Sequence, residues 1–226
     1  MKKKVLIGLT IVVFVMITSI FIYQQNQKSK VLNELPNYTD DKQKIVVDGF
    51  KYKEQPHIGN SNAKVKVIEF GDFKCPACKK WTSENFNKFK REFIDTGKVE
   101  FFFMNYAFID RDSYLAGAAG ESIYHQNNEK FWEFYELLYK NQGKETEIWA
   151  TPTFLIQLVK DNIKGIDQKQ FELEVKNHTY LHSVKEDYKI GGFYGVNGTP
   201  TFIVNGKILR SYSYEDIKAS IQKELK

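Results

Sequence analysis

Two cysteines separated by two residues are the part of this sequence best suited to chemistry. Cys75 and Cys78 are the only cysteines among the 226 residues, and they enclose Pro76-Ala77. Thiol-disulfide exchange needs a thiolate, yet a free cysteine with a pKa near 8.5 is only about 3% ionised at pH 7. At a helix N-terminus the unpaired backbone N–H groups favour a negative charge on the first sulfur. The motif therefore indicates a redox-active pair, in which Cys75 attacks and Cys78 resolves.

Positive charge near the motif should favour the thiolate further. Three lysines flank the pair: Lys74, Lys79 and Lys80. Cations close to a cysteine lower its pKa. We therefore expect them to assist the ionisation of Cys75.

Two other uses of a cysteine pair have to be compared with this one. A disulfide that closes so short a loop stabilises the fold little by chain entropy, so a structural bridge is a weaker explanation. A zinc site would need two more ligands, and His178 and His182, spaced i, i+4, could supply them about 100 residues further on. That separation is far from zinc-finger spacing. A membrane-tethered, non-enzymatic zinc module is the alternative from a different class.

The elements around the motif predict an α/β sheet. Residues 65–70 form a β-branched and aromatic run typical of a strand. Pro76 suits the first position of a helix, and apolar residues then recur at helical spacing until Gly97. Residues 99–106 predict the next strand, so the two strands should be parallel with a right-handed crossover. Cys75 is thus expected at the N-terminus of a helix.

The rest of the chain predicts a long helical stretch and a closing hairpin. A first short strand is predicted for residues 45–52. Apolar residues at helical spacing predict helices over residues 114–126, 130–141, 152–162 and 168 to about 188, with a break in the last of these as an alternative. Asn205-Gly206, between residues 201–204 and 207–209, is typical of a type I′ hairpin. A last helix should follow, with Ser213 as its N-cap.

The N-terminus predicts export and membrane attachment. Residues 5–23 are uncharged and apolar, and as a helix they would span the roughly 30 Å hydrocarbon core of a bilayer. The lysines at positions 2–4 should keep residues 1–4 in the cytoplasm and place the rest outside. We expect a signal anchor at residues 5–23 and a polar linker at residues 24–43. A cleaved signal peptide is the alternative, although residues 19–29 lack an Ala-x-Ala-like site.

The composition predicts one globular domain over residues 44–226. Hydrophobic residues make up 42% of the chain, enough for a full core. The net charge of +5 arises from 33 basic and 28 acidic residues, and the N-terminal lysines account for much of it. This near balance argues against nucleic-acid binding.

With the motif placed, the sequence resembles the DsbA-type branch of the thioredoxin-fold oxidoreductases, and in particular its membrane-anchored members in Gram-positive bacteria. The likeness runs from Val47 to the C-terminus. It is most specific over residues 67–81, Val-Ile-Glu-Phe-Gly-Asp-Phe-Lys-Cys-Pro-Ala-Cys-Lys-Lys-Trp. The resemblance implies a thioredoxin-like α/β fold with an inserted helical domain, about residues 113–190, preceded by one transmembrane helix.

The resemblance assigns roles to residues outside the pair. Glu69 matches the buried acid that relays protons to and from the resolving cysteine, although a solvated carboxylate at a strand end is the alternative. Pro200, within Gly-Thr-Pro-Thr-Phe, matches the cis-proline loop that faces the cysteines. The backbone of Thr199 would then be available to pair with an extended substrate segment. Trp81 should pack over the helix start as part of the core.

A calcium ion away from the cysteines is also implied by the resemblance. Gln55, Glu121 and Asp187 match the positions of its ligands, and oxygen donors of these kinds suit calcium. Solvated helix carboxylates are the alternative. Thiol exchange itself implies no cofactor. DsbA has a histidine where this motif has Ala77, and potentials of the fold range from about −120 to −270 mV, so the resemblance leaves the potential open.

Together these features predict a membrane-anchored, monomeric protein disulfide oxidoreductase outside the cytoplasm. It would introduce disulfide bonds into exported proteins that carry reduced cysteines. The resemblance implies reoxidation by a quinone-linked, DsbB-like membrane partner (BdbC). An exported reductase or isomerase of the same fold is the nearest alternative, and the lack of an added dimerisation domain disfavours an isomerase.

Overall fold

The chain divides into two units, Met1–Leu35 and Pro36–Lys226. The structure is a computed structural model that describes the backbone of residues 2–226 and the side chains of residues 14–226. The first unit consists mainly of helix α1 (Lys2–Asn33), whose apolar side chains Phe14, Ile17 and Phe21 are more than half exposed. Within the described part of the chain, no helix combines the length and hydropathy needed to cross a bilayer. Residues 5–13 of the predicted membrane segment lie outside the described side chains.

A mixed sheet of five strands forms the centre of the second unit. In spatial order the strands are β1 (His57–Gly59), β3 (Val99–Asn105), β2 (Val65–Gly71), β4 (Thr201–Val204) and β5 (Lys207–Ile208). The predicted parallel pairing of β2 with β3 is confirmed, and the other neighbours are antiparallel. β3 is buried throughout and β2 at all residues but Lys66, because helices cover the sheet.

The helices follow the sequence pattern closely. α2 covers residues 76–94 and contains two π-helical turns, Thr82–Phe86 and Lys90–Ile94. The remaining helices are α3 (Arg111–Gln126), α4 (Asn128–Lys140), α5 (Pro152–Asn162), α6 (Gln168–Lys176), α7 (Leu181–Phe193) and α8 (Tyr214–Leu225). Helices α3 to α7 lie between β3 and β4 and form the predicted helical insertion. The N-cap of α8 is Ser213, whose side chain accepts from Asp216 N, as predicted.

The predicted strand at residues 45–52 is wrong. Gly49 and Lys51 have φ values of 70° and 48°, in the left-handed region, so this segment turns instead of extending. A 3₁₀ turn at Tyr52–Glu54 follows, and β1 pairs with β3 further along. The apolar pattern was nonetheless informative, since Phe50 is buried in the core beside the sheet.

Aromatic packing fixes α2 against the sheet. Trp81, Phe86 and Phe89 are at most 2% exposed. The ring centroid of Trp81 lies 4.7 Å from that of Phe202 on β4, and Phe86 lies 5.1 Å from Tyr135 on α4. Burial of each such side chain contributes about 1.5–3 kcal/mol. Trp81 is therefore a core residue, as predicted, and the helix that begins at the cysteine motif is held rigidly.

Candidate active site

The two cysteines lie where β2 passes into α2. Cys75 is the N-cap of the helix, with extended backbone angles of φ −73° and ψ 120°, and Pro76 is the first helical residue. The N–H of Cys75 donates to Asp72 O at 2.9 Å, and its carbonyl accepts from Lys79 N at 3.1 Å. A proline at this position has no N–H to leave unpaired. The sequence therefore forms the predicted helix N-terminus at the first sulfur.

The two sulfurs differ sharply in their electrostatics. Both thiols are free in this structure; Cys75 is 7% exposed and Cys78 0%. The pKa of Cys75 is lowered to about 6, chiefly by a hydrogen bond from the Cys78 thiol, with help from Thr199 and the backbone N–H groups of Ala77 and Cys78. Burial raises the pKa of Cys78 well above its ordinary value. Near neutral pH the pair is thus one thiolate and one thiol.

The predicted cis-proline loop faces the first sulfur. The Thr199–Pro200 bond is cis, as predicted. In the protonated state the Sγ of Cys75 donates to Thr199 O at 3.3 Å. The Thr199 Oγ1 atom is buried, and Thr199 is among the groups that lower the pKa of Cys75. The loop therefore brings both backbone and hydroxyl oxygens of one residue to the cysteine pair.

Glu69 is buried beneath the cysteines and is not the solvated carboxylate of the alternative interpretation. It lies on β2 between Phe103 and Phe202 of the neighbouring strands and is 0% exposed. Its Oε2 accepts from Tyr135 Oη at 2.6 Å, whereas Oε1 has no hydrogen-bond partner among the described residues. Loss of hydration, with the nearby charge of Cys75, raises the pKa of Glu69 to about 8.

Two buried carboxylates fix the turn that precedes the cysteines. Asp72 accepts from Lys74 N at 2.8 Å and from Phe108 N at 3.0 Å. The Nζ of Lys74 donates to Asp112 Oδ1 at 2.6 Å, and both of these side chains are 0% exposed. Lys74 is thus neutralised by Asp112, and the causes that lower the pKa of Cys75 are hydrogen bonds rather than the lysines that we expected.

A surface groove adjoins the cis-proline loop. It has a volume of about 490 Å³ and lies between this loop and the residues that follow β5. Its lining includes Pro200, Leu209, Arg210 and Tyr212, and the last of these is half exposed. A peptide segment laid along the loop would meet this groove next to Cys75.

The three predicted calcium ligands come together elsewhere in the fold. The Nε2 of Gln55 donates to Asp187 Oδ1 at 2.9 Å, and the Nδ2 of Asn105 donates to Glu121 Oε1 at 2.7 Å. Burial raises the pKa of Asp187 to about 7 and that of Glu121 well above its ordinary value. These carboxylates are therefore buried, not solvated. No group of three His, Cys, Asp or Glu side chains within the described residues is placed to hold a metal ion.

The zinc alternative finds no support in this arrangement. His182, on α7, has its Nδ1 atom 3.0 Å from Asp41 Oδ2. The cysteines instead lie at the start of α2, where their neighbours are Glu69 of β2 and Thr199 of the cis-proline loop. The residues that surround the sulfurs are those of a thiol-exchange site.

Comparison with known proteins identifies the family. A sequence model of the thioredoxin family matches residues 51–223. The probable disulfide bond formation protein D of Bacillus cereus is 41% identical over 177 residues, 78% of this chain and 82% of the relative. Disulfide bond formation protein D of Bacillus subtilis is 37% identical over 175 residues, 77% of this chain and 78% of the relative.

Solved structures agree with these relatives. Oxidised BdbD from Bacillus subtilis matches with a TM-score of 0.73 at 35% identity, over 81% of this chain and 99% of that chain. DsbA from Chlamydia trachomatis matches with a TM-score of 0.71 at 24% identity, over 81% of this chain and 96% of that chain, and supports the fold alone. The chain therefore belongs to the thioredoxin family, in the branch of disulfide bond formation protein D, and is a protein disulfide oxidoreductase.

Proposed function

We propose that this protein introduces disulfide bonds into exported proteins through Cys75 and Cys78. The observation that carries the proposal is the asymmetry of the pair, in which the pKa of Cys75 is lowered to about 6 and that of Cys78 is raised. A stabilised Cys75 thiolate favours the reduced protein over its disulfide form. The disulfide is therefore passed readily to other thiols.

The exchange proceeds in two displacements at sulfur. A client thiolate attacks Cys75 Sγ, the Cys75–Cys78 bond breaks, and Cys78 leaves as a thiolate that takes up a proton. A second client thiolate then attacks the client sulfur of the mixed disulfide, and Cys75 leaves as a thiolate. Two electrons pass from the client to the pair. Attack at Cys75 agrees with its position, since Cys78 is 0% exposed.

Glu69 supplies and removes the proton of Cys78 in this scheme. The side chain is buried beside the pair, and its Oε1 has no other partner among the described residues. Its pKa of about 8 lies close to neutral pH, which suits a general acid and base. The carboxyl group is thus protonated often enough to donate and ionised often enough to accept.

Thr199 and Pro200 are proposed to align the client. An extended client segment would pair with the backbone of Thr199 by strand addition, in the place where Cys75 Sγ meets Thr199 O in the free protein. The adjoining groove with Tyr212 would take the flanking client side chains. Backbone pairing requires no particular client sequence, which suits an enzyme with many substrates.

Each turnover leaves the pair reduced, so an oxidant has to restore the disulfide. We propose that a DsbB-like, quinone-linked membrane protein of the BdbC type accepts the two electrons, as the family resemblance implies. An anchor would keep Cys75 close to such a partner. The exported clients and this partner would then react with Cys75 Sγ in turn.

Residues 5–23 are proposed to anchor the protein, with the catalytic domain outside the cytoplasm. The uncharged run, the lysines at positions 2–4 and the exposed apolar side chains of residues 14–23 support this. We expect the protein to stay in the membrane fraction after alkaline extraction and to be digested by protease added to intact protoplasts. Full release by alkali, or protection from the protease, would contradict the anchor or its orientation.

The ionisation of Cys75 can be measured by alkylation. We expect the rate at which the reduced protein reacts with iodoacetamide to reach half its maximum at about pH 6, because the thiolate is the nucleophile. Cys78→Ala removes the main hydrogen bond to the thiolate and should move this midpoint upwards. Replacement of an exposed residue of α2, Ser83→Ala, is the matched control and should leave it in place. A midpoint near 8.5, that of a free thiol, would contradict the assignment.

The direction of exchange can be decided from the equilibrium with glutathione. We expect a potential nearer to about −120 mV than to −270 mV, and oxidation of a reduced peptide by the disulfide form. Cys75→Ser and Cys78→Ser should each abolish peptide oxidation, because neither can form the Cys75–Cys78 disulfide, and Cys78→Ser should accumulate a Cys75–glutathione mixed disulfide because it lacks the resolving sulfur. A potential near that of thioredoxin would favour a reductase instead.

We propose calcium as the ligand of the Gln55, Glu121 and Asp187 cluster. Burial and the nearby charge of Asp187 raise the pKa of Glu121, burial also raises the pKa of Asp187, and a divalent cation would offset both effects. Carboxylate and amide oxygens are donors that calcium prefers, but these residues supply fewer than the six to eight that it takes. The donors therefore fit calcium in type, and backbone or water oxygens would have to complete the set.

Calcium removal should lower the stability of the folded protein. A ligand at 100 times its Kd stabilises a protein by about 2.7 kcal/mol, so we expect a chelator to lower the Tm and added calcium to restore it. Glu121→Gln should abolish this response. Glu54 is exposed and lines the cavity that also contains Gln55, Glu121 and Asp187. Glu54→Gln is therefore the matched control and should preserve the response to calcium. A Tm that does not depend on calcium would contradict the site.

A further inference from the structure

A chain of hydroxyl groups leads away from the buried acid. Tyr135 Oη, on α4, donates to Glu69 Oε2 at 2.6 Å. The same Oη lies 2.9 Å from Thr82 Oγ1, on α2. Both hydrogen bonds are buried, and the chain joins three separate elements of the fold. Tyr135 supplies the side-chain hydrogen bond of Glu69 among the described residues, since Oε1 has no partner.

The directions of the two hydrogen bonds are set by the number of protons available. Tyr135 has one hydroxyl proton, and it points to the carboxylate of Glu69. The hydrogen bond between Thr82 and Tyr135 must then be donated by Thr82. When Glu69 is protonated, both hydrogen bonds can reverse together. A chain whose polarity reverses in this way can pass a proton without leaving a charge on either hydroxyl.

Thr82 connects this chain to a surface groove. The groove lies between α2 and α4, has a volume of about 630 Å³ and includes Thr82, Ser83 and Asn87 in its lining. Thr82 also begins the first π-helical turn of α2. Such turns are frequently found at functional sites. Glu69 itself is 0% exposed, so it needs an intermediate group to reach solvent.

We propose that Tyr135 and Thr82 form a proton relay between this groove and Glu69. The inference rests on the proposed function, in which Glu69 exchanges a proton with Cys78. After Glu69 has given its proton to the departing Cys78 thiolate, the carboxylate takes the Tyr135 proton. Tyr135 at the same time takes that of Thr82, and Thr82 takes one from solvent in the groove. One proton enters, none is lost, and reoxidation runs the same sequence backwards.

The concerted form of this transfer follows from burial. The pKa of Tyr135 is raised well above its ordinary value by desolvation and by Glu69, so a free tyrosinate is excluded near neutral pH. Neither Tyr135 nor Thr82 touches a reacting sulfur in this scheme. They are positioning residues that act through Glu69. Cys75 is 7% exposed and offers a second route for protons, which a client sulfur bonded to Cys75 would cover.

Several other titratable groups face this chain and have to be considered in a pH profile. Those that act on Glu69, Tyr135 or Cys78 are Cys75, Cys78 and Tyr139. Those that line the groove are Lys79, Glu133, Glu136 and Lys140. The groove groups are shared by all the variants below, so their contribution is constant.

The relay is tested by separating the two sulfur steps in the full chain. Reduced protein is mixed with excess glutathione disulfide over a pH series, and quenched samples are resolved by mass spectrometry. The first step forms the Cys75–glutathione mixed disulfide. The second closes the Cys75–Cys78 bond, and it requires Glu69 to take the proton of Cys78 and pass it outwards.

We expect Thr82→Val to slow the second step by about 10²-fold, the low end of the ~10²–10⁴-fold effect of general acid-base catalysis, while the first step is unchanged. Thr82→Ser keeps the hydroxyl and should restore the rate. Tyr135→Phe should slow the same step and move its pH inflection upwards, because the Tyr135 hydrogen bond lowers the pKa of Glu69. Ser83→Ala, in the same groove but outside the chain, is the matched control and should match the wild type.

The outcomes separate the relay from the proposed function. If the wild type forms the Cys75–Cys78 disulfide and Thr82→Val closes it at the same rate, the relay is overturned and the proposed function stands. Equal slowing of both steps in Thr82→Val would indicate a structural effect and would also overturn the relay. If the wild type forms no such disulfide, the proposed function itself fails.

Discussion

The negative charge held on one sulfur is the interaction on which this structure depends. Cys75 lies at the N-terminus of α2, where backbone N–H groups and the Cys78 thiol hydrogen-bond to it and lower its pKa to about 6. A charge stabilised in the reduced state weakens the disulfide of the oxidised state by the same free energy. The electrostatics of one helix end thus set the direction of the chemistry.

The surrounding fold makes this arrangement possible. β2 places Glu69 beneath the pair, and the turn after it is fixed by Asp72 and by the buried ion pair of Lys74 with Asp112. Burial of Glu69 raises its pKa into the range in which it can both donate and accept a proton. The same burial isolates it from solvent, so the chemistry needs groups that connect it to the surface. Close packing around the cysteines therefore fixes the turn before them, sets the pKa of Glu69 and holds the groups that stabilise the Cys75 thiolate.

Local patterns predicted much of this, and long-range contacts explain the rest. The strand before the motif, the helix that starts at Pro76, the Asn205-Gly206 turn and the Ser213 cap depend on neighbouring residues and were predicted. The strand predicted for residues 45–52 was wrong because left-handed backbone angles override the pattern of apolar residues there. Tyr135 was missed because it contacts Glu69 from 66 positions away, and Asp112 because it pairs with Lys74 from 38 positions away. Nothing in the local sequence around either partner indicates such contacts.

The central claim is tested most directly by the free energies of unfolding of the reduced and oxidised forms across pH. Only the reduced form has a Cys75 that ionises. Because its folded pKa is lowered, its contribution is full above the ordinary value of about 8.5 and is lost as the pH falls through about 6. The account predicts that the stability of the reduced form relative to the oxidised form rises steadily between these two pH values. A difference that stays constant over this range would contradict it.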